Sequence, residues 1–177
     1  MKINRRRFLK TSAGSVAALP VLSLFASTPW RFLSAAEAEL MDALCEQIIP
    51  GDQDPGAHDA WVVRFIDKQL TGKYQRHREE YRNGFVGVNQ TSMAMFGRPF
   101  VELTFDNQTE VMRALESGKA TGEAWKKYSS SSFFNLIRNH TMQGYYGSPR
   151  HGGNREYASY RMLGLDYPQI IGQNRYR

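Results

Sequence analysis

The chain has 177 residues, 41% of them apolar and 23% charged, a composition that excludes an intrinsically disordered chain and supplies enough apolar surface for one core. Its formal charge of +6 does not belong to the body. Lys2, Arg5, Arg6, Arg7, Lys10 and Arg31 stand in the first 31 residues without an acid, leaving 17 basic and 17 acidic residues after them. A neutral body gives no general support to a phosphate-binding surface, so no nucleic-acid partner is expected. The single cysteine, Cys45, excludes an intrachain disulfide and reads as a buried small hydrophobe.

A basic head, an apolar run from Ala13 to Ala26 and a following stretch of small and turn-forming residues give residues 1–33 the layout of a signal peptide. The apolar run is too short, and too rich in Gly, Ser and Ala, to read as a membrane span. Within the head, Arg5, Arg6, Phe8, Leu9 and Lys10 resemble a twin-arginine export signal, with Asn4 where that pattern more often carries Ser or Thr. No Ala-x-Ala stands between Ala26 and Arg31, which leaves an uncleaved anchor open. The implied route carries proteins already folded and so suggests a cofactor-bearing cargo. The body has no convincing cofactor motif, a mismatch that a cofactor-carrying partner resolves.

Residues 34–177 read as one all-α domain of several helices with an extended, Gly/Tyr-rich C-terminal tail over 144–177. Ser34 followed by Glu37 forms a capping box, each side chain satisfying an amide of the first turn. Leu40, Leu44 and Ile48 then recur on one face until Pro50 and Gly51 end the helix. The loop up to Ala60 is rich in acids, Pro and Gly. A second helix runs from Asp59 or Ala60 through Trp61, Val62, Val63, Phe65, Ile66 and Leu70, with Asp59 as its expected cap. Tyr74, Tyr81, Phe85 and Val88 mark a third, weakened by Gly84 and Gly87 and ending before Gly97. Thr104 caps a fourth that reaches Gly118, and a fifth runs from the serines at 129–132 to Met142. Beyond Gly144 the density of Gly, Pro and Tyr predicts an extended aromatic wrap. Neither a strand-like alternation nor an internal repeat is evident.

Chemistry-bearing patterns are sparse. The four histidines form no i,i+4 pair and no HExxH, and one cysteine cannot build a CxxCH haem attachment. Asp52, Asp54, His58 and Asp59 are the densest ligand-like cluster, but they lack the order of an EF-hand and read better as a turn with a helix cap. Gly84-x-x-Gly87 and the Gly-Gly-Asn at 152–154 follow no strand, so neither reads as a phosphate loop. There is no GxSxG. The tyrosines of 145–167 are the feature that most suggests recognition, because Tyr offers a large apolar face with a polar tip. Packing against their own domain is the competing explanation.

Taken in order, the sequence shows the twin-arginine head, Gln47-Ile48-Ile49-Pro50, Asp54-Pro55-Gly56-Ala57, Val63-Arg64-Phe65-Ile66-Asp67, Arg98-Pro99-Phe100-Val101-Glu102-Leu103, and Gln143 through Asn154 with Ser148-Pro149 and Gly152-Gly153. This succession resembles the gluconate 2-dehydrogenase subunit 3 family over residues 34–167. Tyr160 stands where many relatives have Trp.

The resemblance implies a small subunit without a catalytic centre, cofactor or metal of its own. It implies a large FAD-dependent partner of the glucose-methanol-choline type oxidising a sugar, polyol or sugar acid, and in some complexes a multihaem cytochrome c as a third subunit. The small subunit would stabilise and mature the flavoprotein and carry it through the twin-arginine machinery to the periplasm, at the outer face of the cytoplasmic membrane. Asp54, Pro55, Gly56, Tyr145, Tyr146, Gly152, Gly153, Asn154 and Tyr157 are the residues expected at the partner interface. A free-standing periplasmic binding or chaperone-like module, and a small metal-assisted enzyme, are the other readings the residues leave open.

Overall fold

The computed structural model describes residues 30–165, and the export-signal residues Arg5, Arg6, Phe8, Leu9 and Lys10 lie outside them. The described residues are all-α: α1 (Ala35–Ile48), α2 (Val62–Leu70), α3 (Arg78–Phe96), α4 (Phe105–Glu116), α5 (Ser130–Tyr146) and α6 (Ala158–Met162), with no strand among them. Local chemistry sets most of the boundaries. Ser34 and Glu37 form the expected capping box, and the hydroxyls of Thr104 and Ser129 accept the amides of Asn107 and Ser132 at the heads of α4 and α5. Gly97 closes α3 in the left-handed conformation.

α5 is the hub, packed against α1, α2, α3, α4 and α6. Leu40, Met41, Leu44 and Cys45 of α1 meet Val62, Ile66 and Leu70 of α2, Tyr81 and Val88 of α3, Val111 and Leu115 of α4, and Phe133, Ile137 and Tyr145 of α5 in one core. Each large apolar side chain so buried contributes roughly 1.5–3 kcal/mol. The glycines inside α3 make room for this packing. A Cβ on Gly84 would fall within the ring of Phe133, and one on Gly87 within the indole of Trp125.

The structure departs from the sequence reading at three places. α2 begins at Val62 behind a left-handed Trp61 with no side-chain cap, and the Asp59 carboxylate instead accepts the amide of Gly56 at 3.3 Å. α3 starts at Arg78, so Tyr74 precedes it in a turn followed by a 3-10 stretch, Gln75–His77. The wrap predicted after Gly144 is helical in its described part. α5 continues through Tyr146, and the 3-10 turns Pro149–His151 and Arg155–Tyr157 lead into α6. Ahead of α1, Leu33 is buried in the core and Trp30 and Phe32 pack against it.

Where α3 meets α5, a buried phenol and a buried imidazole face each other. Tyr81 Oη lies 2.8 Å from His140 Nδ1, and Tyr74 stacks on the imidazole with centroids 3.8 Å apart. Burial, then the neighbouring His77 and Arg76, pulls the His140 pKa down to about 4. A folded pKa below the unfolded value of 6.5 means that the unfolded chain binds more protons between those values. This stabilisation is complete above pH 6.5 and is lost as the pH falls towards 4. Melting temperatures recorded from pH 7 to 4 are expected to fall more steeply for the wild type than for His140→Phe. Parallel curves would show that His140 does not titrate on unfolding.

Candidate functional site: a docking face built from two distant segments

The loop 50–59 and the tail 144–157, singled out separately in the sequence, lie against each other. Tyr145 Oη donates to the carbonyl of Pro55 at 2.5 Å, and the amide of Arg155 donates to the carbonyl of Ala60 at 3.1 Å. One carboxylate organises the loop from below: Glu46 on α1 accepts the amides of Gly51 at 2.6 Å and His58 at 2.9 Å, fastening both ends. Gly56 is buried against Glu46, where a Cβ would collide with the carboxylate. Asp54 remains exposed, its amide turned back to the Asp52 carboxylate at 3.0 Å.

Two tail residues expected at the interface are built into the domain. Tyr145 is 1% exposed and Asn154 is fully buried. Asn154 donates through Nδ2 to the carbonyl of Gly147 at 2.8 Å and accepts the amide of Ser159 at 2.9 Å. It thus ties the end of α5 to the start of α6. Gly152 has a φ of +108°, and Gly153 lies so close to the carbonyl of Gly144 that no Cβ fits. Tyr157 is left-handed and partly buried beside Tyr160. Tyr146 faces outward at 39% exposure, with its ring edge-on to Tyr145.

The sequence reading passed over the centre of this face. The periodicity makes Trp61 one apolar residue of a helix, yet it stands at the helix entrance with φ +57° and is 38% exposed. The guanidiniums of Arg64 and Arg155 lie over its ring, 4.2 and 4.3 Å from the centroid. The other left-handed non-glycine residues among those described, Asn154, Glu156 and Tyr157, flank Arg155 in the adjoining segment. A left-handed conformation is costly for a side chain with a Cβ, and here four such residues gather at one place.

Beside Trp61 a cavity of about 430 Å³ is lined by Trp30, Arg31, Arg64, Lys68, Gly152, Gly153 and Arg155, among others. Its far wall is Asp67, whose carboxylate is turned inward to three backbone amides, Arg31 at 2.7 Å and Phe32 and Leu33 at 2.9 Å. Another groove of about 430 Å³ is lined by Glu39, Asp42, Glu46, His58 and Asp59, among others, and Trp61 and Arg64 border a recess shared with Glu39, Asp42 and His58.

Although the body is formally neutral, the cavity and the groove differ in charge, the first lined mainly by Arg and Lys and the second by carboxylates. Two histidines report the division. His58 is raised by its hydrogen bond to Asp42 at 2.6 Å and by the charges of Asp42, Asp59 and Glu46. His151 is lowered by desolvation and then by Arg150, Lys73 and Lys68.

No group of three or more His, Cys, Asp or Glu side chains among the described residues is disposed to hold a metal. In the loop, Asp52, Asp59 and Glu46 are engaged with backbone amides and His58 with Asp42. The arrangement offers shape, aromatic surface and sorted charge for recognition.

Compared with known proteins, the chain matches one family model over residues 35–166, described as gluconate 2-dehydrogenase subunit 3. No curated protein and no solved structure matches it.

Proposed function

The chain belongs to the gluconate 2-dehydrogenase subunit 3 family, and from that premise we propose that it is the non-catalytic small subunit of an exported FAD-dependent dehydrogenase. The large subunit, of the glucose-methanol-choline type, oxidises a sugar, polyol or sugar acid such as gluconate and carries the flavin. A multihaem cytochrome c forms the third subunit where one is present. The small subunit stabilises the flavoprotein, accompanies it through the twin-arginine machinery, and resides with it in the periplasm at the outer face of the cytoplasmic membrane.

One observation carries this reading: the two segments that make the sequence most family-like, 54–57 and 143–154, join at a face with an exposed indole and sorted charge. Polar side chains behind that face hold backbone amides and carbonyls in place, as a rigid docking scaffold requires. No helix among the described residues is long and apolar enough to cross a membrane. Membrane association accordingly falls to the partners or to the N-terminal segment.

The test uses the full chain, tagged at its C-terminus and expressed together with the reading frames that neighbour its gene. Co-purification of a flavoprotein, with its visible absorbance, is the expected result. A tagged chain that returns no flavoprotein, or an assortment of unrelated clients, rejects the assignment. Replacing Arg5 and Arg6 together by Lys keeps the charge but removes the pair that the export receptor reads. The expected result is retention of this chain and a signal-less partner in the cytoplasm, measured by fractionation and immunoblotting. Undiminished periplasmic yield rejects twin-arginine export.

A further inference from the structure

We propose that the Arg64–Trp61–Arg155 cluster and its adjoining basic cavity receive an acidic, carboxylate-bearing segment of the large subunit. The inference rests on the subunit reading above and identifies the chemistry of its contact.

Three independent features support that occupant. The first is positive charge without a carboxylate partner, Lys68 donating to the carbonyl of Arg150 at 3.2 Å. Among the described residues no carboxylate lies within ion-pair distance of Arg64 or Lys68, although both line the cavity. Of the two acids in its wall, Asp67 is turned to three backbone amides and Glu156 is paired with Arg155 at 3.3 Å. Arg64 and Lys68 therefore keep charge that no described carboxylate neutralises, while Arg155 shares its own with an exposed Glu156, and such a recess attracts an anionic group from outside.

The second feature is the form of the cations. Arg64 and Arg155 lie over the indole, Arg64 with no carboxylate partner among the described residues and Arg155 engaged by Glu156 through Nε, and a guanidinium edge can donate two parallel N–H bonds to one carboxylate. Stacking on Trp61 also restricts the long Arg side chains before anything binds, so less freedom is lost on docking. Trp and Arg together are the residue types that most often dominate a protein interface.

The third feature is strain. Trp61 and the residues on either side of Arg155 hold left-handed conformations, and the Arg155 amide to Ala60 carbonyl bond links the two segments. A sequence free to relax would replace such positions with glycine. Their persistence fits a requirement to present these side chains at this spot.

A free sugar acid is a weaker fit, because the indole that would stack on a sugar ring is already covered by guanidinium.

The experiment uses the tagged full chain and its co-expressed large subunit. Arg64→Glu with Arg155→Glu is expected to weaken capture of the flavoprotein about tenfold or more, while circular dichroism and melting remain as in the wild type. The double Arg→Lys variant, which keeps charge but loses the planar fork, is expected to fall between them. Wild-type capture should weaken as salt rises from about 0.05 to 0.5 M.

To identify the occupant, a photo-crosslinking residue is placed at Arg64 and the captured peptide sequenced. An Asp- or Glu-rich segment of the large subunit is the expected product. Undiminished capture by the folded Glu variant overturns this inference and leaves the subunit assignment standing. So does a crosslink to a segment without acids, or calorimetric binding of free gluconate that Arg64→Glu abolishes. If the wild type captures no flavoprotein, both fall together.

Discussion

Replacing Asp67 by Ala is expected to destabilise the domain by about 3 kcal/mol. The carboxylate is 3% exposed and receives three consecutive backbone amides, from Arg31, Phe32 and Leu33. Without it those donors must either stay dry, at roughly 1–3 kcal/mol each, or reach water by detaching the segment. Detachment limits the loss, since it exposes Leu33 and releases Trp30 and Phe32 from the core. Arg82 resists it, donating to the carbonyl of Phe32 at 3.0 Å and lying over that residue's ring. Urea unfolding gives the stability change, and hydrogen exchange should show the amides of 31–33 losing protection before those of α5. Asp67→Asn, which retains an acceptor, should fall between. A loss below about 1 kcal/mol for Asp67→Ala would show that water already serves these amides.

The second large effect is expected at Tyr145. Truncation to Ala removes a ring that is 1% exposed and deletes the hydroxyl holding Pro55, so about 3–5 kcal/mol of stability is expected to be lost. Tyr145→Phe removes only the hydroxyl and should cost about 1–2 kcal/mol, leaving the Pro55 carbonyl unpaired. Denaturant titrations of both variants separate the ring from its hydroxyl. The comparison also bears on the docking face. If Tyr145→Phe folds but captures the flavoprotein weakly, the bond to Pro55 sets the shape the partner meets. If it captures normally, Tyr145 serves the core alone.

Much of the fold was legible because its signals were short-range. Ser34 with Glu37, and Thr104 ahead of α4, cap helices through bonds spanning three residues, so spacing alone revealed them. The face of Leu40 and Leu44 and the burial of Cys45 followed from period and residue type. What escaped depends on contacts between distant segments. The left-handed turn at Trp61 is fixed jointly by the Glu46-clamped loop and by Arg155, nearly a hundred residues later. In the sequence Asp67 is only the last residue of the Val63–Asp67 motif, because the amides it holds lie 34–36 residues earlier. The sequence takes α5 only to Met142, because Gly, Pro and Tyr crowd the stretch beyond Gly144. In the structure the bare Cα of Gly144 lets Phe65, Val62 and Gly153 close in, and the helix gains more from that packing than propensity removes. Neutral total charge likewise says nothing of the basic lining of one recess and the acidic lining of another.

Cys45 has a practical consequence. Its thiol is fully buried, accepts from the Thr141 hydroxyl at 3.3 Å, and is pushed up to about 12 by desolvation. Only the thiolate reacts, so the folded chain offers thiol reagents almost no target. The sole sulfhydryl thus becomes an internal clock for opening of the core. Under native conditions its alkylation advances only as fast as α1 and α5 part, and every labelled molecule records one such event.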